Sequence, residues 1–88
     1  MKTIRLEIGH IHTVRALHIY LAYMLDLPAY YGKNLDALHD ALCEESNPMH
    51  IVLSGAASSE EMAAYLPRLE RVMNDCAQEN DCMCFERA

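Results

Sequence analysis

The sequence predicts a small α/β domain: a three-stranded parallel sheet packed with about four helices. Three observations carry this. Short runs near residues 3–8, 49–54 and 82–85 have strand character. The segments between them show helical periodicity and are too long for hairpins, and strands joined by helical crossovers run parallel. Finally, residues 1–88 form one domain, since a chain this size buries only about 60–65% of the surface it exposes when unfolded.

The first strand is Thr3 to Ile8, TIRLEI, where Ile4, Leu6 and Ile8 alternate with Thr3, Arg5 and Glu7. Gly9 closes it. Thr13 to Asp26 is helical, with Val14, Leu17, Leu21, Met24 and Leu25 on one stripe, Thr13 as the N-cap and Pro28 as the stop. Ile19 and Tyr23 lie off that stripe. They are expected to pack on a neighbouring helix, the alternative being a self-association surface. A monomer is the expectation.

A second helix runs from Asn34 to about Ser46, with Leu35, Leu38 and Leu42 buried. Asn34 suits the N-cap, and Asp36 in the first turn complements the helix dipole. Met49 to Ser54, MHIVLS, has the unbroken apolar centre of a strand covered on both faces. In SSEE, Ser58 and Glu61 read as a capping box opening a third helix to about Leu66. Pro67 fits the first turn of a fourth, whose stripe is Leu69, Val72, Met73 and Cys76. Cys82 to Phe85 is the last strand, with the thiols of Cys82 and Cys84 on one face as small core groups.

Composition excludes several functions. Seven Lys and Arg stand against 13 Asp and Glu, a formal charge of −6, and 52% of residues are hydrophobic. Nucleic-acid binding relies on cations neutralising phosphates, so no nucleic-acid partner is expected. No apolar run approaches a membrane span of about 20 residues. The N-terminus reads as a strand rather than a secretion signal, which predicts a cytoplasmic protein with reduced thiols at Cys43, Cys76, Cys82 and Cys84.

On the second helix, His39, Cys43, Asp36 and Asp40 occupy the arc beside the leucine stripe. The preceding turn adds Tyr30, Tyr31 and Gly32. Asp36 and Asp40 could be a plain solvated face. From spacing alone the solvated face is the default; the alternative is a pair that receives Arg or Lys from a partner, because carboxylates accept the two-pronged hydrogen bonds of guanidinium. His39 and Cys43 have metal-ligand spacing, yet two ligands are too few and nothing in the spacing commits Asp36 as a third, so no metal or cofactor is expected. Catalysis is not expected either: phosphate-binding loops and nucleophile elbows are missing, and a helix face on so small a domain offers little concavity to desolvate a carboxylate pair. The Cys82–Cys84 spacing is a weak redox signal.

The run YYGKNLDALHD resembles the signature of the barstar-like family, intracellular inhibitors of barnase-type ribonucleases. The matching residues are Tyr30, Tyr31, Gly32, Asn34 to Leu38 and Asp40, with Leu27-Pro28 upstream. The resemblance implies a non-enzymatic inhibitor whose acidic helix and preceding turn plug the basic active site of a ribonuclease. It makes Asp40 the central anion, Asp36 its helper and Tyr30 the aromatic contact, within a surface that includes Tyr31, Gly32, Asn34, His39, Cys43 and Glu44. The last helix would add an acid, Asp75 or Glu79, unless Asn74 or Gln78 fills that place. The implied partner is a basic secreted ribonuclease; the alternative is an interaction module for some other basic protein. The chain departs from the signature at His39, which replaces a Trp, at Lys33, which replaces an acid, and at Cys43-Glu44-Glu45, where a Gly-aromatic pair is absent.

Overall fold

The computed structural model describes residues 2–88. In chain order these are β1 (Lys2–Glu7), α1 (Val14–Met24), α2 (Leu35–Cys43), β2 (Met49–Ser54), α3 (Glu60–Glu79) and β3 (Met83–Arg87). The strands form one parallel sheet in the order β1-β2-β3. Ile4 pairs with Ile51 and Leu6 with Leu53, while on the other side Met49 pairs with Met83 and Ile51 with Phe85.

The described residues hold three helices where about four were expected. Pro67 lies inside α3, which continues unbroken for 20 residues. A proline frees the carbonyl four residues back. Here that residue is Ala63, and both Ala63 and Pro67 face solvent, so water can satisfy what the helix loses. The start of α3 also differs. Ser59, not Ser58, is the N-cap, with its Oγ accepting from the Met62 amide at 3.1 Å. The Ser58 hydroxyl instead donates to the Ile11 carbonyl at 2.6 Å. Glu61 accepts from the Val14 amide at 2.5 Å, so the acid expected to close its own helix caps α1 instead.

The sheet is covered on one face only, another correction. Ile4, Leu6, Met49, Ile51, Leu53 and Met83 share one apolar cluster with Leu17, Leu21, Leu38, Leu42, Met62, Leu69 and Met73 from the helices. Val52 points to the opposite face, outside that cluster. It is shielded by its register neighbours Arg5 and Glu86 rather than by a second helical layer. Chain geometry explains the asymmetry. Parallel crossovers are right-handed, and two that advance in one direction across a sheet put their helices on the same side. The last strand follows the same logic: Met83 is its core residue, Cys84 is exposed and Cys82 precedes the strand, so the cysteines do not form the buried face. Ile19 and Tyr23 are exposed, not packed on a neighbour.

The strand ends are tied off by side chains. Arg87 donates from Nη1 to the Leu53 carbonyl at 2.9 Å and from Nη2 to the Gly55 carbonyl at 2.5 Å. On β1, the Glu7 amide donates to the Tyr20 hydroxyl of α1 at 2.8 Å, and Arg5 pairs with Glu7 at 2.5 Å.

Gly55 turns the chain out of β2 with φ of 103°, and a Cβ there would meet the Gly9 amide nitrogen at 2.8 Å. Gly55→Ala is therefore expected to destabilise the domain by roughly 1–3 kcal/mol, the usual cost of such backbone strain. Urea unfolding is the check, and an unshifted midpoint would contradict it.

Candidate functional site

The site is built on α2 and the turn before it. Asn34 is the hinge of this construction. Its Oδ1 accepts from the Ala37 amide at 2.8 Å, and its Nδ2 donates to the Gly32 carbonyl at 3.1 Å. One side chain thus starts the helix and fastens the turn to it. Gly32 is needed for closeness rather than for an unusual dihedral: a Cβ would lie 3.2 Å from Asn34 Nδ2. Lys33 takes the left-handed conformation, with φ of 55°.

The two tyrosines part company. Tyr30 is 88% exposed, whereas Tyr31 is 8% exposed and belongs to the core. Tyr31 was expected on the outer surface beside Tyr30; its ring points inward to His18, a residue absent from the sequence-derived site. His18 is fully buried on α1, with Nδ1 2.6 Å from the Tyr31 hydroxyl and Nε2 2.7 Å from the Tyr65 hydroxyl of α3. Tyr31 donates onward to the Asn34 carbonyl at 3.5 Å. A neutral imidazole satisfies this chain: Tyr65 donates to Nε2, and Nδ1–H donates to Tyr31. Burial pushes the His18 imidazole below its usual pKa and raises the Tyr31 and Tyr65 phenols. The signal was present in the sequence, since His18 shares its helix face with Val14, Leu21 and Leu25.

The outer side of the turn and α2 encloses a groove of about 380 Å3. Tyr30, Gly32, Asp40 and Glu44 line it, together with Asp26 and Glu45, which the sequence did not single out. Four of the lining residues are acids and none is Lys or Arg. Asp40 has 80% of its side chain exposed. Glu45 is partly engaged, accepting from the Asn47 amide at 2.9 Å. Asp26 comes from the tight turn after α1, where its φ of 53° marks a left-handed residue. Only the tertiary approach of that turn to α2 brings it opposite Asp40. Asp36 and Asp75 are exposed but do not line the groove.

On the other flank of α2 the helix meets α3. His39 Nε2 is 3.5 Å from Glu79 Oε2, and its Nδ1 is 4.0 Å from Asp40 Oδ1. The Cys43 sulfur is 3.3 Å from both the Cys76 sulfur and Glu79 Oε2. Burial raises both thiols. Asn80, just past α3, donates from Nδ2 to the carbonyls of Leu42 and Glu45 at 2.9 and 2.8 Å and so closes the C-terminal end of α2.

These features define a small parallel α/β domain that carries an acidic, tyrosine-flanked helix on its surface. No described helix is long and apolar enough to cross a membrane. The chain belongs to the barstar family: the family profile described as Barstar (barnase inhibitor) matches residues 1–86. No curated protein is a match for the sequence.

The buried histidine makes stability depend on pH. Its folded pKa lies below its unfolded value of about 6.5, so the unfolded chain takes up the proton first. The contribution of His18 is present above that value and is lost as pH falls below it, toward the folded pKa. The wild type should lose melting temperature more steeply between about pH 7 and 5 than a His18→Asn variant. Parallel profiles for the two proteins would remove His18 as the cause.

Proposed function

We propose that this protein inhibits a barnase-type ribonuclease by seating the Tyr30 turn and the acidic face of α2 in the cationic active site of the enzyme. The observation that carries the reading is the groove beside Tyr30: its charged lining residues are all carboxylates, contributed by Asp26, Asp40, Glu44 and Glu45. A ribonuclease holds RNA phosphates with Arg, Lys and His. Carboxylates gathered on one face offer those cations negative charge without a scissile bond.

Each residue has a separate task. Asp40, exposed at the middle of α2, is the central anion and loses water only when the partner arrives. Tyr30, almost wholly exposed, supplies apolar area that costs little conformational entropy to order. Asn34 and Gly32 hold the turn against the helix. Tyr31 acts from inside by fixing the turn to His18. Asp36, Asp75 and Glu79 contribute to the surrounding negative field. That field steers a basic partner toward the face, an effect that salt weakens.

Two predictions follow from this division of labour. Asp40→Ala should weaken inhibition by at least about tenfold to a hundredfold, because 1.5–3 kcal/mol is typical for a charged hydrogen-bond partner and the enzyme's cations would be left unpaired. Inhibition of RNA cleavage by a barnase-type ribonuclease measures this, with Glu86→Gln on the sheet's outer face as the control. Equal inhibition by wild type and Asp40→Ala would remove this face from the interface. No inhibition by the wild type would leave a basic partner other than a nuclease.

The tyrosines should also separate cleanly. Tyr30→Ala should weaken inhibition with the melting temperature unchanged, whereas Tyr31→Phe should lower the melting temperature because His18 Nδ1 loses its partner. A Tyr30→Ala variant that inhibits like the wild type would overturn its contact role.

A further inference from the structure

The seam between α2 and α3 gathers four side chains with metal-binding donors. His39 and Cys43 stand one turn apart on α2, and Cys76 and Glu79 stand three residues apart on α3. Donor atoms of His39, Cys43 and Cys76 all lie within 4.8 Å of one another. The Cys43 sulfur is 3.3 Å from Cys76 Sγ, 3.3 Å from Glu79 Oε2 and 3.7 Å from each ring nitrogen of His39. His39 Nε2 is 3.5 Å from Glu79 Oε2. Tetrahedral zinc holds thiolates at about 2.3 Å and imidazole or carboxylate at about 2.0–2.2 Å, which makes the edges of the tetrahedron about 3.3–3.8 Å long. The separations from the Cys43 sulfur and the one between His39 and Glu79 already have that size. Glu79, outside the mutually close trio, would complete the shell by turning its exposed side chain.

We propose that this seam binds a zinc-class divalent cation through His39, Cys43 and Cys76, with Glu79 as the fourth ligand. Two thiolates and an imidazole select a thiophilic ion such as zinc over magnesium or calcium, which prefer all-oxygen shells. The charge balances locally. On binding, the two thiols release their protons to solvent while the ion brings two positive charges. The sum over Cys43, Cys76, His39 and Glu79 is therefore the same before and after, and the acidic face beside it gains no net positive charge. Deprotonation gives up two weak thiol contacts, Cys76 to the His39 carbonyl at 3.5 Å and Cys43 to the Cys76 sulfur at 3.3 Å. His39 and Glu79 reach solvent, with side-chain exposures of 36% and 60%, and give the ion its way in.

The ion would join two helices that otherwise meet through apolar packing, the Asn80 cap and the weaker polar contacts among these same side chains. The site needs neither the groove nor a nuclease, so it stands or falls separately from the inhibitor reading.

Cobalt(II) is the probe, added to reduced, metal-stripped protein. The expected result is one ion per chain, with the near-ultraviolet thiolate-to-cobalt band and the visible bands of a tetrahedral centre, displaced by zinc. Cys43→Ser should diminish the ultraviolet band, while Cys84→Ser should leave it intact. His39→Gln, on a half-exposed residue whose loss does not endanger folding, should weaken binding by more than about 100-fold, above the range for losing an outer-shell partner. Zinc should raise the melting temperature of the wild type and not of Cys43→Ser. Absence of a charge-transfer band in the reduced wild type, or a band undiminished in both Cys43→Ser and His39→Gln, would overturn the proposal.

Discussion

The buried chain of hydrogen bonds from Tyr65 through His18 and Tyr31 to Asn34 is the constraint on which the acidic face depends. It joins the core of α3, the middle of α1 and the turn before α2. Apolar packing alone would hold the helices near one another without fixing how the turn is rotated. Directional bonds settle that rotation. With Tyr31 held inward by its hydroxyl, the neighbouring Tyr30 is driven outward. Asn34, at the end of the chain, then starts α2 at the angle that aims Asp40 into the groove. A polar network in a core costs stability unless every member is satisfied. Here no buried side-chain nitrogen or oxygen of the described residues lacks a partner.

The sheet and the site are related by the same economy of topology. Because both crossovers fall on one side, every helix packs on one face of the strands and against its neighbours. The α2–α3 seam and the turn between α1 and α2 are products of that crowding. Asp26, in the turn after α1, and Glu44, the C-cap of α2, come to line one cavity although 17 residues lie between them. Acidic residues scattered along the chain are thereby gathered around one groove.

Much of this was legible in the residues. Alternation in TIRLEI located β1, and the leucines at 35, 38 and 42 located α2 with its acidic arc. Asn34 as a cap was correct because its chemistry is local. What failed was non-local. Pro67 reads as a helix start until its exposure shows that a lost bond costs little there. Glu61 reads as its own helix's clasp until α1 is seen to offer a closer unpaired amide. The apolar triplet Ile51-Val52-Leu53 reads as two covered faces, yet Val52 is sheltered by the stems of two flanking charged residues. His18 and Cys76 carried periodic signals as core positions, but their partners come from other helices and have no trace in the local sequence.

The single-sided sheet leaves both outer strands with free margins. Such margins invite another chain to add itself. On β1 the Tyr20 hydroxyl occupies the Glu7 amide, and Arg5 and Glu7 set charge along the border. On β3 the charged side chains turn back toward β2, Glu86 to His50 at 3.5 Å and Arg87 to the Leu53 and Gly55 carbonyls. An incoming strand beside β1 would have to strip water from Arg5 and Glu7 as its ladder formed. That cost on the β1 side lets the domain keep an open polar back beside a short edge strand.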